Sequence, residues 1–185
     1  MKKISTLMLG LAISSNIYAQ EFDFRGAILG MTLDEFKALP AINGKFFRDG
    51  KAVSCTEKQG DLECTRAGDD PFNQIYGFTT TNYLFHNNLN GQPQLYMIMM
   101  MSDYRNASLG IAGMTQKWGK GDTEIIPATN SLGMEIKKTK VTWNKPNSEI
   151  TLESPCSSLK YLCIIYKHKQ IYTQLLKEEK RENSF

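Results

Sequence analysis

The sequence predicts an α+β domain, in which a curved antiparallel sheet carries helices packed on one side. Strand-like segments fall into two clusters, at 52–101 and 135–168. A segment with helical features precedes each cluster, and a third one ends the chain. Short polar turns separate neighbouring strands, which is typical of antiparallel sheets rather than of βαβ units. The same order permits two related halves, each a helix followed by strands.

The domain begins with two short patterns. Residues 21–26 alternate apolar and charged side chains, which predicts a short strand. Thr32 and Glu35 have the spacing of a capping box, in which each side chain accepts a hydrogen bond from the other residue's backbone N–H. Pro40 bounds the helix that follows. The sequence therefore predicts a helix over about 33–39.

The first strand cluster starts with a predicted hairpin at 52–65 and continues with aromatic and β-branched residues at 75–85. Seven consecutive apolar residues at 95–101 predict a strand that is covered on both faces. Gly110 and Gly113 lie in the helix that follows, and each lowers its stability by ~1 kcal/mol relative to alanine, so packing must support it. An apolar stripe with three- and four-residue steps predicts this helix; it comprises Tyr104, Ala107, Ile111, Met114 and Trp118.

The second strand cluster is predicted from segments at 135–143, 149–153 and 161–168, which turn-forming residues separate. A terminal helix is predicted from 170 to about 182. Its apolar edge includes Ile171, and its highly charged end is expected to be solvated.

The N-terminal segment has the pattern of a secretory signal peptide. Lys2 and Lys3 precede a short apolar run, and Ala19 ends a plausible cleavage site. The apolar run is about half as long as the roughly 20 residues that cross a membrane. We therefore predict a signal peptide at 1–19, a single α+β domain at 20–185, and a periplasmic or secreted location after cleavage near Ala19.

Charge and composition exclude several classes of protein. Removal of 1–19 takes two of the 22 Lys and Arg residues and none of the 19 Asp and Glu residues, which leaves a net charge of +1. A nearly neutral chain has no general electrostatic attraction to nucleic acid or to anionic lipid. No later segment is long and apolar enough for a membrane span, and no cysteine follows the cleavage site to carry a lipid anchor. We therefore expect no nucleic-acid partner, no membrane span and no lipid anchor.

Four cysteines follow the signal peptide. An even number in an exported chain predicts disulfides rather than free thiols. Four cysteines allow three connectivities, and the close, turn-containing spacings favour Cys55–Cys64 and Cys156–Cys163. A four-thiolate zinc site is the alternative, although neither pair has the C-x₂₋₄-C spacing that such sites favour. We interpret both pairs as structural staples.

Two stretches resemble known groups of small exported domains. The segment 29–36 (LGMTLDEF) is similar to the opening of the SmpA/OmlA outer-membrane assembly lipoproteins and of domains shaped like the β-lactamase inhibitor protein. The segment 83–86, the strand at 95–101 and the helix ending at 116–120 are similar to a strand–strand–helix unit of many uncharacterised periplasmic proteins. The resemblance implies helices on a curved antiparallel sheet and a non-catalytic role in binding other proteins.

The sharpest chemical candidates are Met97, Met99 and Met101. Thioethers bind Cu(I), and alternate residues of a strand share one face, so the three sulfurs could converge on one ion. The competing interpretation is that methionine fills a core as a flexible apolar side chain. We favour the core, because no second methionine cluster lies nearby in sequence.

The two histidines, His86 and His168, each lie near the end of a predicted strand. The sequence has no G-x-S-x-G elbow, and the cysteines are expected to be oxidised, so no nucleophile–histidine pair is indicated. We therefore expect no enzyme activity, no catalytic residue and no cofactor. A hydrolase stays open as an alternative, which a convergent polar pocket at either histidine would favour.

Charged residues suggest no metal site. Asp61 with Glu63, and Asp69 with Asp70, lack the spacing of a calcium loop and are interpreted as solvated acids. A short basic run, which comprises Lys137, Lys138 and Lys140, is interpreted as the protection of an edge strand.

Taken together, the patterns predict an exported, disulfide-stapled, non-catalytic binding domain whose partner is another envelope or secreted protein. The partner would meet the open face of the sheet if that face exposes aromatic side chains, with Tyr83, Phe85 and Trp143 as candidates. Trp118 is expected to pack inward. The alternatives are the hydrolase and a periplasmic copper binder that uses the methionine strand.

Overall fold

The computed structural model describes residues 21–58, 61–72, 75–87, 91–129 and 133–182, so the predicted signal peptide at 1–19 lies outside the described residues. In chain order the elements are β1 (Asp23–Phe24), β2 (Ala27–Ile28), α1 (Leu33–Lys37), β3 (Val53–Lys58), β4 (Asp61–Arg66), β5 (Thr79–Asn87), β6 (Pro93–Asp103), α2 (Ala107–Trp118), β7 (Asp122–Thr129), β8 (Glu135–Asn144), β9 (Ser148–Ser154), β10 (Tyr161–His168) and α3 (Lys169–Glu182). Short 3₁₀ turns lie at Ile42–Gly44 and Tyr104–Asn106.

Eight strands form one antiparallel sheet in the order β3-β4-β5-β6-β10-β9-β8-β7. The strands β3 to β6 form one four-stranded meander and β7 to β10 form another, and the two join between β6 and β10. At this central seam Met100 lies opposite Ile164. The broad α+β class and the antiparallel sheet are thus confirmed, because consecutive strands within each meander pair antiparallel to one another.

One face of the sheet, here called the inner face, carries the main core. Alternate residues of each strand point to it, among them Tyr83 and Phe85 of β5, which are 0% and 1% exposed. Phe36 of α1 packs on both of them, with ring centroids 4.7 and 5.1 Å away. The hydroxyl of Tyr166 on β10 lies 3.4 Å from the Met114 sulfur of α2. Both α1 and α2 therefore cover the inner face.

The third helix lies on the opposite face, here called the outer face, so the prediction that the helices pack on one side was wrong. His86 follows the inward-facing Phe85 and points outward, where its ring bonds to Glu178 of α3. Lys167 follows the inward-facing Tyr166, and its ammonium lies 5.1 Å from the ring centroid of Tyr172. The chain enters α3 directly after β10, and α3 folds back over the face of these strands that α1 and α2 leave uncovered.

The predicted capping box is present at the start of α1. The Glu35 N–H donates to the Thr32 hydroxyl at 3.3 Å, and the Thr32 N–H donates to the Glu35 carboxylate at 2.7 Å. The helix is anchored to the sheet just before this cap, because the Gly30 N–H donates to the Leu95 carbonyl at 2.7 Å. The predicted N-terminal strand is also present, as a two-residue strand, β1, paired with β2.

The strand predicted from residue 75 begins later, at Thr79. Ile75, Tyr76 and Phe78 are exposed and precede the strand. Gly77 adopts a φ of 60°, a backbone conformation that interrupts an extended segment. The prediction from aromatic and β-branched content therefore made this strand four residues too long at its start.

The two disulfides, Cys55–Cys64 and Cys156–Cys163, agree with the pairings that the short spacings favoured. Cys55 and Cys64 lie directly opposite each other on β3 and β4. The second disulfide ties the turn between β9 and β10. Because all four sulfurs are bonded in pairs, the four-thiolate zinc alternative is excluded.

Candidate functional site

The methionine row, defined as Met97, Met99 and Met101, lies on the outer face. Neighbouring Met100 points inward and is 1% exposed, whereas Met99 is 36% exposed and the other two members of the row are half-buried. The predictions of two-sided cover and of a core role for these methionines were therefore wrong. Successive side chains of a strand point to opposite faces, so the row points outward when Met100 points inward. On the outer face, α3 contacts the sheet near Met97.

The row continues sideways into a small apolar surface, here called the outer patch, which comprises the methionine row with Leu84 and Ile165. Met97 lies opposite Leu84 on β5, and Met99 lies opposite Ile165 on β10. The contact of α3 with Lys167 lies at the Met97 end, since Lys167 is the partner of Met97 in the ladder. Met99, in the middle of the row, is its most exposed member.

Paired charges border the outer patch on its β8–β9 side. Lys138 of β8 forms an ion pair with Glu153 of β9, and Lys167 of β10 forms one with Glu149 of β9 at 2.9 Å. The prediction that the basic run lies on an edge strand was wrong. The run lies on β8, and β7 is the strand at the edge of the sheet. An apolar centre with a polar rim is the usual composition of a protein-binding surface.

A polar cluster around His86 holds α3 on the outer face. The His86 Nδ1 lies 2.7 Å from an Asp61 oxygen, and Nε2 lies 3.0 Å from a Glu178 oxygen. The Tyr96 hydroxyl donates to the other Asp61 oxygen at 2.9 Å, and the Gln174 amide donates to Glu178 at 3.0 Å. Burial disfavours the charged ring, but the hydrogen bonds to the two carboxylates outweigh it and raise the pKa of His86 above 6.5.

Both histidines have defined partners in the structure. Each ring nitrogen of His86 lies within hydrogen-bond distance of a carboxylate oxygen, so the ring links two acids from distant parts of the chain. The second histidine, His168, lies 3.4 Å from the position that a Cβ on Gly30 would take, and the Ile171 N–H donates to its Nδ1 at 3.4 Å. Burial lowers the pKa of His168, which favours the neutral ring.

The acids interpreted as solvated are partly built into the structure. Asp61 belongs to the His86 cluster, and the side chain of Asp69 is only 3% exposed. Asp69 accepts a hydrogen bond from the Tyr83 hydroxyl and lies 3.3 Å from Arg25. Burial raises the pKa of Asp69. Within the described ranges, no group of three or more His, Cys, Asp or Glu side chains is arranged to hold a metal ion.

The aromatic residues proposed as contact points lie in the core. Tyr83, Phe85 and Trp143 are 0%, 1% and 4% exposed, so the prediction that they could sit on the open face was wrong. The Trp143 indole N–H donates to the Gly119 carbonyl at 2.8 Å, which satisfies its polar edge inside the core. Trp118 packs inward as expected, with its ring centroid 5.0 Å from that of Phe22.

Sequence reasoning missed the His86 cluster because its members are far apart in the chain. Asp61 and Glu178 are 25 and 92 residues from His86. No local motif joins them. The position of the methionine row, by contrast, had a usable signal, since two-fold alternation alone separates Met97, Met99 and Met101 from Met100.

Comparisons of the chain with protein-family models, with curated proteins and with solved structures gave no match. Among the helices that the structure describes, none combines the length and apolar character that crossing a membrane requires.

Proposed function

We propose that the chain is an exported, non-catalytic binding domain that binds another envelope or secreted protein through its outer patch. The observation that supports this proposal is the exposure of Met99 in the middle of an apolar row on a sheet face that α3 only partly covers. Methionine is flexible and polarizable, and surfaces that bind proteins use it for these reasons. The two disulfides suit a chain that works in an oxidising compartment.

The resemblance to the SmpA/OmlA-like and β-lactamase-inhibitor-protein-like domains is part of the same proposal. A helix followed by a four-stranded antiparallel meander occurs twice along the chain. This repetition supports the hypothesis of two related halves. It also supports a role as a scaffold for binding.

The partner that fits the outer patch is a protein surface with apolar side chains at its centre. Lys138 pairs with Glu153 and Lys167 with Glu149, so the rim on this side presents ion pairs rather than single charges. A strongly charged partner would gain little from such a rim. Shape and apolar burial would therefore account for most of the affinity.

The test is affinity capture from the envelope fraction with the oxidised chain 20–185 and two matched variants. Met99→Glu places a charge in the outer patch, and Leu176→Glu places one on α3, at a residue of similar exposure, 39% against 36%. We expect the wild type and Leu176→Glu to retain one stoichiometric protein that Met99→Glu loses. Equal retention by both variants would contradict the outer patch as the binding site.

Copper binding is a second candidate, because three thioethers share one partly open face of β6. Met99→Leu removes the sulfur and keeps an apolar side chain, so it separates the two candidates. If Cu(I) binds the row, titration against a competing chelator should show affinity about tenfold weaker in Met99→Leu. Under the protein-binding proposal, Met99→Leu should instead retain the captured partner.

A further inference from the structure

A cavity of about 410 Å³ opens beside α2 on the inner-face side of the molecule. Its floor is formed by Met100, Ile164 and Tyr166, each 1% exposed. Phe24 and Phe72 are among the residues that line it further out. The volume falls within the roughly 300–1,000 Å³ of small-molecule sites. The lining is predominantly aromatic and aliphatic, as in such sites.

Two glycines of α2 line this cavity, and they differ in their packing. A Cβ on Gly110 would lie 3.1 Å from Leu152, so this glycine lets the helix approach the sheet. A Cβ on Gly113 would meet no atom within 4 Å, so packing does not require a glycine there. Glycine in a helix interior weakens the helix relative to alanine. The consequence of Gly113 is that the flank of α2 stays open above the cavity.

Two cationic side chains, Arg25 and Lys117, also line the cavity. Lys117 lies 3.0 Å from Asp23, and Arg25 lies 3.3 Å from Asp69, but neither acid is among the lining residues. The Arg25 guanidinium also donates to the Gly68 and Asp70 carbonyls at 3.3 and 3.1 Å, so Arg25 is committed to this loop. Lys117 is half-exposed and is the cation that a ligand in the cavity can reach. Such a site suits a ligand with an apolar body and an anionic end.

We infer that this cavity binds a single-chain amphiphile with a terminal carboxylate. The chain would lie over Met100, Ile164 and Tyr166, and the carboxylate would lie beside Lys117. A cavity of ~150 Å³ holds benzene, so about 410 Å³ corresponds by proportion to a chain of up to about sixteen carbons. The site is on the opposite side of the sheet from the outer patch, so this inference is independent of the proposed protein-binding function.

The test is calorimetric titration of dodecanoate, below its micelle concentration, into the oxidised chain 20–185. Gly113→Phe should occupy the open space and weaken binding about tenfold or more, whereas Gly113→Ala should bind as the wild type does. Lys117→Gln should weaken dodecanoate binding several-fold and leave the uncharged dodecan-1-ol unaffected. Thermal melts of each variant would show whether it is folded, and Met99→Glu should keep full dodecanoate affinity.

Several results would overturn the inference. Absence of saturable one-to-one binding to the wild type would exclude the site, and equal affinity for wild type and Gly113→Phe would place binding elsewhere. If Gly113→Phe does not fold, the Lys117→Gln variant still tests the inference. A dodecanoate affinity of Lys117→Gln equal to that of the wild type would contradict a carboxylate beside Lys117. Equal affinities of the wild type for dodecanoate and dodecan-1-ol would contradict the anionic end.

Discussion

On its inner face the sheet is covered by the β1–β2 pair, α1 and α2, whereas α3 is the helix that covers part of the outer face. The inner face buries rings such as Phe36, Tyr83 and Trp143, and the outer face carries methionine, isoleucine, threonine and paired charges. The same strands supply both faces, because consecutive side chains point to opposite sides. One face thus accounts for most of the stability, and the other leaves an apolar surface available to a partner.

The largest expected effect comes from adjacent methionines on opposite faces of β6. Met100→Ala should lower the free energy of unfolding by about 2–5 kcal/mol, because it leaves a cavity in the inner core. Met99→Ala should lower it by less than about 1 kcal/mol, because its side chain is 36% exposed. Urea unfolding under non-reducing conditions measures both. Similar losses for the two variants would mean that the outer face is covered as tightly as the inner one.

The two disulfides allow a comparison of the same kind. Their sequence separations are 9 and 7, so each disulfide should reduce the entropy of the unfolded chain by a similar amount. The resulting gain in folding stability should be ~2–4 kcal/mol for each. Cys64 is 0% exposed in the inner core, whereas Cys163 points outward and is only half-buried. The double alanine variant at 55 and 64 should therefore be the less stable one. Equal unfolding midpoints in urea would show that packing of the sulfurs contributes nothing.

A smaller effect is expected at the N-terminus of α1, on the inner face. Thr32→Ala should lower the free energy of unfolding by ~1 kcal/mol, because it removes the hydroxyl that accepts the Glu35 N–H. Thr32→Ser keeps this hydroxyl and serves as the matched control. A loss of similar size in the serine variant would assign the effect to the methyl group rather than to the cap.

The smallest expected effect is a pH dependence with opposite signs at the two histidines. His86 has a raised pKa, so its contribution to stability is complete below about pH 6.5 and is lost as pH rises through the raised value. His168 has a lowered pKa, so its contribution is present above about pH 6.5 and is lost as pH falls toward the lowered value.

Unfolding free energies between pH 6 and 8.5 should separate the two residues. The His86→Gln variant should differ most from the wild type at the acidic end of this range, where the charged ring binds both Asp61 and Glu178. The His168→Gln variant should instead lose stability most at the alkaline end, where the neutral His168 ring contributes fully. A His86→Gln deficit that grows with pH would contradict the charged cluster.

Local patterns predicted individual elements well. The capping box at Thr32 and Glu35 involves atoms three residues apart, and the short spacings of the cysteines restrict which pairs can meet. The strand clusters and the apolar stripe of α2 are periodic signals within one segment. Where local evidence was misleading, as at residues 75–78, a glycine with positive φ overrode aromatic content.

The sequence by itself determined the α+β class, the clustered antiparallel strands, the helix cap and the favoured disulfide pairing, because each depends on neighbours in the chain. Only the tertiary structure decided which face each helix covers, that Trp143 is buried, that Met99 is exposed, and that Asp61, His86 and Glu178 meet. The physical reason is that alternate side chains of a strand point to opposite faces of the sheet, and the sequence of the strand does not determine which face the helices cover. That choice depends on contacts between segments far apart in sequence.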